Sequence, residues 1–171
     1  MRSVLIWMIV LLSFGARADA LPVVGSPAPN FSLPDQSAAQ RRLDDWRGKW
    51  LVLYFYPRDE TSGCTVEAQA FRDASAQLTA MNAAVVGVSL DDVASHRPFA
   101  KNHQLNFPLL ADTDGAVAKR YGTLLNLGVI KFAKRISFII DPEGRVAKVY
   151  PDVDPVRHAP EVLADLKTLV R

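Results

Sequence analysis

The residue with the clearest chemical potential in this chain is Cys64, which is the only cysteine among 171 residues. It lies between an apolar run, Trp50 to Tyr56, and a stretch in which apolar residues recur at three- and four-residue steps. The run is typical of a strand buried on both faces, and the spacing is typical of an amphipathic helix that begins near Gly63. Cys64 is therefore predicted to lie in the first turn of that helix. The apolar stripe of the predicted helix consists of Ala68, Phe71, Ala74, Leu78 and Met81.

A thiol at the start of a helix is well placed to ionise, because unpaired backbone N–H groups and the helix dipole favour negative charge there. The thiolate is the nucleophilic form of cysteine. Cys64 is therefore a candidate nucleophile. The alternative is a buried, unreactive thiol, since free cysteine is among the residue types most often buried.

The residues around Cys64 resemble the active-site signature of the peroxiredoxins. Pro57, Thr61 and Cys64 stand in the order Pro-x-x-x-Thr-x-x-Cys, and the segment Phe55 to Ala68 is similar to the bacterioferritin comigratory protein branch of that family. The resemblance runs from about Val24 to the C-terminus. Its further matches are Asn30 to Leu33, Gly87 to Ser89 with Asp91, Phe107 to Asp112, and Arg135 to Asp141. It implies an α/β, thioredoxin-like fold with a central mixed β-sheet flanked by helices.

The function that the resemblance implies is that of a thiol-dependent peroxidase. Cys64 would attack the terminal oxygen of hydrogen peroxide or an organic hydroperoxide and become a sulfenic acid. The Thr61 hydroxyl and the Arg135 guanidinium would stabilise the sulfur and the peroxide, and Pro57 would shield the thiolate from water. No cofactor and no metal ion are expected.

Several of these residues also have ordinary structural interpretations. Thr61 or Ser62 would serve as a helix N-cap, and an arginine at a strand end such as Arg135 is usually solvated. Glu67 is favourable in the first turn of a helix because of the dipole, so it is left out of the predicted site.

Other classes of cysteine enzyme fit the sequence less well. A dithiol oxidoreductase typically carries Cys-x-x-Cys, but the third residue after Cys64 is Glu67. A cysteine hydrolase needs a histidine beside the thiol, and the sequence places none there. The histidines have no metal-ligand spacing with Cys64, so surface or helix-packing roles are expected for them. They are His96, His103 and His158.

The absence of a second cysteine restricts how Cys64 is recycled. Many members of the resembling branch have a resolving cysteine five residues after the reactive one, where this chain has Gln69. We therefore expect reduction by an external thiol or a thioredoxin-like reductant, or through a mixed or intersubunit disulfide, in a monomer or homodimer. The alternative function is a peroxide sensor or thiol relay that passes oxidation to a partner.

The N-terminus has the features of a secretory signal peptide. Arg2 precedes an apolar segment, Val4 to Phe14, and Ala18-Asp19-Ala20 fits a cleavage site. We expect residues 1–20 to be removed after Ala20, which leaves one domain, 21–171, in the periplasm or secreted. An uncleaved anchor is the alternative, although the apolar segment is short for a membrane span.

The charge of the predicted domain excludes some partners. Residues 21–171 contain 18 basic and 17 acidic side chains. This balance gives no basic surface for nucleic acid, and no stable membrane association is expected after cleavage.

The remaining elements are predicted from periodicity and turn residues. A strand centred on Phe31 to Leu33 precedes a parallel βαβ unit in which the second strand is Ala83 to Leu90. Ser95 is predicted to cap a helix that ends near His103, with Pro98 in its first turn. The apolar loop Leu124 to Phe132 either covers the core or contacts a partner. The other predicted elements are a strand at 107–110, a helix at 116–121, a hairpin of 136–140 with 146–150, and a final helix from Pro160 with Val162, Leu163, Leu166, Leu169 and Val170 inward.

Overall fold

The architecture was derived from a computed structural model that describes residues 20–171. The predicted signal peptide, apart from Ala20, lies outside the described residues. The strands within these residues are β1 (Ser32–Pro34), β2 (Gln40–Arg42), β3 (Trp50–Phe55), β4 (Ala83–Ser89), β5 (Leu109–Ala111), β6 (Leu124–Asn126), β7 (Lys131–Ala133), β8 (Ile136–Ile140) and β9 (Val146–Tyr150). The helices are α1 (Ser62–Asp73), α2 (Ser75–Ala80), α3 (Val93–Asn102), α4 (Ala116–Arg120) and α5 (His158–Leu169), with a short 3₁₀ helix at Leu43–Trp46.

The central sheet is mixed, as predicted, and has the strand order β5-β4-β3-β8-β9. Strands β3, β4 and β5 are parallel, and β8 pairs antiparallel with both β3 and β9. The parallel pair β3 and β4 is joined through α1 and α2, which confirms the predicted βαβ unit. The predicted hairpin is formed by β8 and β9, with a register irregularity at Ile139 and Ile140.

The unbroken apolar run of β3 reflects burial on both faces of the sheet. Val52, Tyr54 and Tyr56 belong to a core cluster under α1, α2, α3 and α5. Leu51, Leu53 and Phe55 belong to a second cluster that includes residues of α4 on the opposite face. Because successive side chains of a strand point to opposite faces, only a continuous apolar sequence satisfies both clusters.

The predicted helix after Cys64 is divided into two segments. Ala74 separates α1 from α2, and its ψ of −2° departs from regular α-helical geometry. Leu78 is buried as the stripe predicts, whereas Met81 lies beyond the end of α2 and is only half-buried. The prediction of one continuous helix is therefore wrong.

The start of α3 also differs from the prediction. Asp92 is the N-cap residue, and its carboxylate accepts a hydrogen bond from the backbone N–H of Ser95 at 2.8 Å. Asp92 and Ser95 both have good capping chemistry, and the earlier one starts the helix. Pro98 consequently lies inside α3, beyond its first turn.

The final helix begins before the proline that was predicted to start it. His158 is the first residue of α5, and Pro160 is the third. A proline is tolerated there because the first N–H groups of a helix have no intrahelical acceptor. At the other end, Val170 is exposed rather than inward.

The apolar loop Leu124 to Phe132 forms most of a small hairpin of β6 and β7. The side chains at its tip, Leu127, Val129 and Ile130, are exposed. The expectation that this loop covers the core is therefore wrong for its tip.

None of the helices formed by residues 20–171 is long and apolar enough to cross a bilayer.

Candidate active site

Cys64 lies where the central strand passes into α1. Strand β3 ends at Phe55, α1 begins at Ser62, and Cys64 is the third residue of the helix. The prediction that it lies in the first helical turn is confirmed. The residue is buried, with 1% of its surface exposed. The thiol therefore faces protein groups more than solvent, and these groups determine its chemistry.

Arg135 brings a positive charge to the sulfur. Its Nη2 atom lies 3.2 Å from Sγ of Cys64, across a separation of 71 residues in sequence. A Cβ atom on Gly63 would lie 3.3 Å from the same nitrogen, so the helix start and the guanidinium are in close contact. Burial opposes the charge of Arg135, but Glu67 and Cys64 outweigh that effect and raise the arginine pKa above its ordinary value. Arg135 is therefore a fixed cation beside the thiol.

Glu67 belongs to the site, although it is not among the residues predicted for it. Its side chain is fully buried and accepts a hydrogen bond from Nη1 of Arg135. Its other oxygen lies 2.7 Å from Nδ1 of His158. Glu67 stands three residues after Cys64, on the same side of the helix as the apolar stripe. An acidic residue within an apolar stripe indicates a buried partner, and this signal was available in the sequence.

Pro57 and Thr61 lie in the loop between β3 and α1. Pro57 is half-buried directly after the last core residue, Tyr56. Thr61 occupies the N-cap position with extended backbone angles, but its side chain makes no capping hydrogen bond. Its hydroxyl donates instead to the carbonyl oxygen of Arg58 at 3.0 Å. Of the predicted site residues, Arg135 is the one that donates a hydrogen bond to Sγ.

A buried polar network anchors this loop through Asp59. The Asp59 carboxylate accepts hydrogen bonds from the hydroxyls of Tyr56 at 2.8 Å and Ser95 at 2.7 Å. It also lies 2.8 Å from Nδ1 of His96, and the backbone N–H of Asp59 donates to Asp91 at 2.9 Å. The loop is therefore held to α3 and to the segment between β4 and α3, and His96 is buried rather than at the surface.

A second group of polar contacts lies beside α1. Glu60 adopts a left-handed backbone conformation with a φ of +59°, and its carboxylate lies 3.0 Å from Nε2 of His103. Nδ1 of His103 lies 3.3 Å from the amide nitrogen of Gln69. Gln69 stands where the resembling branch has its resolving cysteine, and here it is half-buried in polar contact. The left-handed backbone of Glu60 is strained for a residue other than glycine, and such strain persists only where contacts with surrounding residues fix the conformation.

The ring of Tyr54 belongs to the same core cluster as Cys64. Burial, followed by the charges of Glu67 and Cys64, raises the pKa of Tyr54 well above its ordinary value. The phenol therefore remains neutral.

Within residues 20–171, no group of three or more His, Cys, Asp and Glu side chains is arranged to hold a metal ion.

A buried thiol at a helix start with a guanidinium on its sulfur has the chemistry of an activated nucleophile. The sequence pattern of the AhpC/TSA family matches residues 24–149 of this chain. The chain belongs to the AhpC/TSA family of peroxiredoxins. This membership confirms the resemblance that was noted around Cys64.

Individual relatives place this peroxiredoxin in the bacterioferritin comigratory protein branch. The chain is 41% identical over 147 residues to the chloroplastic peroxiredoxin Q of Triticum aestivum, covering 85% of this chain and 67% of the relative. Its structure is similar to peroxidoxin BcpB of Mycobacterium tuberculosis, with a TM-score of 0.82, 34% identity and coverage of 86% and 98% of the two chains. It is also similar to the bacterioferritin comigratory protein of Xanthomonas campestris, described for alkyl peroxide reduction, with a TM-score of 0.79, 31% identity and coverage of 90% and 100%.

These likenesses establish both the fold and the class of enzyme. The central mixed sheet with flanking helices is the thioredoxin-like fold of the peroxiredoxins. Named peroxiredoxins share about 40% of aligned positions over most of the chain. The protein is therefore a thiol-dependent peroxidase.

Proposed function

We propose that this peroxiredoxin is of the one-cysteine type, with Cys64 as the peroxidatic residue and an external thiol as the reductant. The observation that supports it most directly is the contact of 3.2 Å between Nη2 of Arg135 and Sγ of Cys64. A fixed cation at this distance stabilises a thiolate more than a thiol. The only cysteine of the chain therefore lies where its nucleophilic form, the thiolate, is stabilised by a neighbouring cation.

In the first step, the thiolate of Cys64 attacks the terminal oxygen of a hydroperoxide. An S–O bond forms, the O–O bond breaks, and the departing oxygen takes a proton to leave as water or an alcohol. Sulfur is oxidised by two electrons to a sulfenic acid, and the peroxide is reduced by the same number. Arg135 stabilises the charge that moves from sulfur to the departing oxygen, because Nη1 and Nη2 of its guanidinium each have a second N–H that is free to donate.

Thr61 and Pro57 are proposed to complete the site from the loop. The Thr61 hydroxyl lies at the N-cap position, and its lone pairs and proton are available to a peroxide once the bond to the Arg58 carbonyl is exchanged. Pro57 has no N–H, and we propose that its apolar ring shields the sulfur from water. This arrangement limits water around the thiolate, which strengthens the effect of Arg135.

In the second step, the sulfenic acid is returned to the thiol by two external thiols. The first condenses with Cys64 to give a mixed disulfide and water, and the second displaces Cys64 as a thiolate and forms a new disulfide. An internal disulfide requires a second cysteine, and the chain contains only one. A small thiol or a thioredoxin-like protein therefore supplies both electrons.

Both hydrogen peroxide and organic hydroperoxides are proposed as substrates. The relative from Xanthomonas campestris is described for alkyl peroxide reduction. In the first half of α1, this chain has a partly exposed apolar residue, Val66, which is 42% exposed. Pro155 approaches the Cβ position of Gly63 at 3.6 Å, so the segment before α5 borders the helix start. An alkyl group would find apolar contacts there.

The alternative function is a sensor or relay, and the single cysteine is the feature that favours it. A sulfenic acid without a resolving partner persists longer and has time to react with a thiol of another protein. Such a protein would be oxidised once by peroxide and then form a stable adduct with one partner. Repeated consumption of peroxide with a small thiol distinguishes the enzyme from the relay.

The test is to treat residues 21–171 with one equivalent of hydrogen peroxide in the presence of dimedone, and to measure intact mass. We expect one dimedone adduct at Cys64, formed much faster than at a free thiol. With dithiothreitol in place of dimedone, we expect many peroxide molecules consumed per protein chain. Trapping at the rate of a free thiol would contradict the role of Cys64, and a single turnover followed by arrest would contradict recycling by a small thiol.

Placing a cysteine at position 69 is expected to change how Cys64 is recycled, from an external thiol to an internal disulfide. Along an ideal α-helix, residues five apart are about 8.6 Å apart at Cα, which exceeds the limit of about 7 Å for a disulfide. A Gln69→Cys variant therefore forms the Cys64 disulfide only if the first turns of α1 unwind. We expect this to occur after oxidation, because the sulfenic acid reacts with a nearby thiol at high effective concentration.

The measurement is intact mass and circular dichroism of the Gln69→Cys variant after one equivalent of peroxide. The expected product has lost two hydrogen atoms, resists dimedone and has less helix than the reduced protein. Gln69→Ser is the control, since it removes the contact with His103 but adds no thiol. A dimedone adduct at Cys64 with a free thiol at position 69 would show that α1 does not open.

Export is proposed on the basis of residues 1–20. The signal features of that segment are supported by the sequence pattern, and the domain that follows begins near Leu21. Intact mass of the protein recovered from the periplasm of an expressing bacterium tests this. We expect a chain that begins at Leu21, and recovery of the full-length chain from the cytoplasm would contradict export.

A further inference from the structure

His158 is a buried histidine at the start of α5 that the proposed chemistry has not used. Its side chain is fully buried, and Nδ1 lies 2.7 Å from Oε1 of Glu67. Glu67 is equally buried, and its other oxygen accepts a hydrogen bond from Nη1 of Arg135. Nη2 of Arg135 in turn lies 3.2 Å from Sγ of Cys64. Three successive contacts therefore connect the imidazole to the sulfur.

Through these contacts, the position of His158 affects the orientation of Glu67, and Glu67 in turn affects the orientation of Arg135. A carboxylate and a guanidinium are both planar, and a donor on one oxygen of Glu67 limits rotation of the whole carboxylate. With that rotation limited, the remaining oxygen holds one nitrogen of Arg135, and the other nitrogen points at Cys64. Removing the first donor would free Glu67 to rotate and would loosen the contact with sulfur.

The surroundings of His158 specify which nitrogen carries the proton. Glu67 accepts hydrogen bonds, so Nδ1 is the donor in this pair. Nε2 is buried and has no hydrogen-bond partner among residues 20–171. The rings of Phe71 and Tyr150 stand edge-on to the imidazole, with centroids 5.0 Å and 5.5 Å away. Because a buried, unpaired N–H is costly, a neutral imidazole with its proton on Nδ1 fits this environment.

A neutral donor has an advantage over a second cation at this place. It satisfies one oxygen of Glu67 without adding positive charge that would compete with Arg135 for the carboxylate. The titratable and charged groups that face His158 are Glu67 from α1 and Tyr150 from β9. Burial, together with the hydrogen bond to Asp165, raises the pKa of Tyr150, so it is also neutral.

We propose that His158 is a positioning residue for peroxide reduction: its Nδ1–H holds Glu67 so that Arg135 is directed at the sulfur of Cys64. The proposal rests on the proposed role of Cys64 as the peroxidatic residue. The competing explanation is that His158 only packs α5 against α1. That explanation predicts a loss of stability without any effect on the thiol.

Three variants separate the two explanations. His158→Leu removes the donor with little change in volume, and His158→Asn keeps an N–H near the position of Nδ1. Val162→Ala is the matched control, because Val162 is also fully buried in α5, one turn further along. For each variant we would measure the second-order rate of oxidation by hydrogen peroxide, the thiolate absorbance against pH, and the free energy of unfolding.

We expect His158→Leu to react about 10- to 100-fold more slowly, the effect of losing one hydrogen bond to a charged group, and to hold less thiolate at neutral pH. His158→Asn should recover most of the rate. Val162→Ala should lower the free energy of unfolding and leave the rate and the thiolate fraction unchanged. A wild-type rate in His158→Leu, or an equal loss of rate in Val162→Ala, would overturn the proposal.

Two further results distinguish the failure of this inference from the failure of the proposed function. If wild-type Cys64 reacts no faster than a free thiol, both are overturned; if it reacts fast and His158→Leu is equally fast, only the positioning role is. Should His158→Leu not fold, ¹⁵N NMR of the wild-type imidazole decides the matter. We expect the proton on Nδ1, and a proton on Nε2 would overturn the proposal.

Discussion

Replacing Cys64 with serine is expected to abolish peroxide consumption, with a loss of at least about 10³-fold. A serine hydroxyl is not ionised at neutral pH, and its oxygen cannot accept a second oxygen from a peroxide. The chain has no other thiol that would substitute for Cys64. The measurement is peroxide consumption with dithiothreitol as reductant, at equal concentrations of the wild type and the variant.

The control for this variant is that its structure is retained. Serine is close to cysteine in size, and its oxygen accepts a hydrogen bond from Arg135 as the sulfur does. We therefore expect the same circular dichroism spectrum and the same elution volume as the wild type. Peptide mapping separates oxidation at position 64 from oxidation of Met81, the one methionine of residues 21–171. Sustained turnover by Cys64→Ser would mean that peroxide is reduced elsewhere.

The elements that the sequence predicted well are those with a single strong pattern. The run Trp50 to Tyr56 is apolar without a break, and only a strand buried on both faces uses such a run over so few residues. The placement of Cys64 follows from this strand, because the helix after a parallel strand begins at the edge of the sheet where the strand ends. The pairing of β3 with β4 was predicted for the same reason.

Elements with two equivalent signals were predicted less well. Asp92 and Ser95 are both good N-caps, and the sequence alone does not rank them. In the structure, Asp92 caps the helix, and the Ser95 hydroxyl donates to Asp59, 36 residues away. The sequence predicts Pro160 as the first helical residue, yet a proline is also compatible with the third position, which it occupies in α5. Local chemistry leaves these choices open, and tertiary contacts decide them.

The site residues, too, were predictable only where a local pattern or the family resemblance pointed to them. The contact between Arg135 and Cys64 joins residues 71 positions apart, so periodicity does not reveal it, and the family resemblance supplied that residue. Glu67 and His158 were treated as ordinary helix residues because each has a local interpretation. Their function as a buried pair depends on α1 and α5 lying side by side, and pairing of distant helices is not encoded in either segment alone.

Replacing Arg135 with alanine is expected to slow peroxide reduction by about 10²- to 10³-fold, as when a donor to developing charge is removed from an active site. The variant also leaves the Glu67 carboxylate buried, with the Nδ1–H of His158 as its remaining hydrogen-bond partner and no cation beside it. Loss of one member of a buried ion pair costs about 3–5 kcal/mol, so we expect a similar fall in the free energy of unfolding. Stopped-flow oxidation by hydrogen peroxide and denaturant unfolding measure the two effects separately.

Arg135→Lys distinguishes the charge of this residue from its geometry. An ammonium keeps the positive charge near Glu67, but it lacks the planar fork that reaches Glu67 and Cys64 at once. We therefore expect stability between those of the wild type and Arg135→Ala, with a rate closer to that of the alanine variant. Arg120→Ala, at the exposed end of α4 on the opposite face of the sheet, is the control and should change neither. A lysine variant as fast as the wild type would mean that positive charge alone activates Cys64, and that the alignment maintained by Glu67 is dispensable for the reaction.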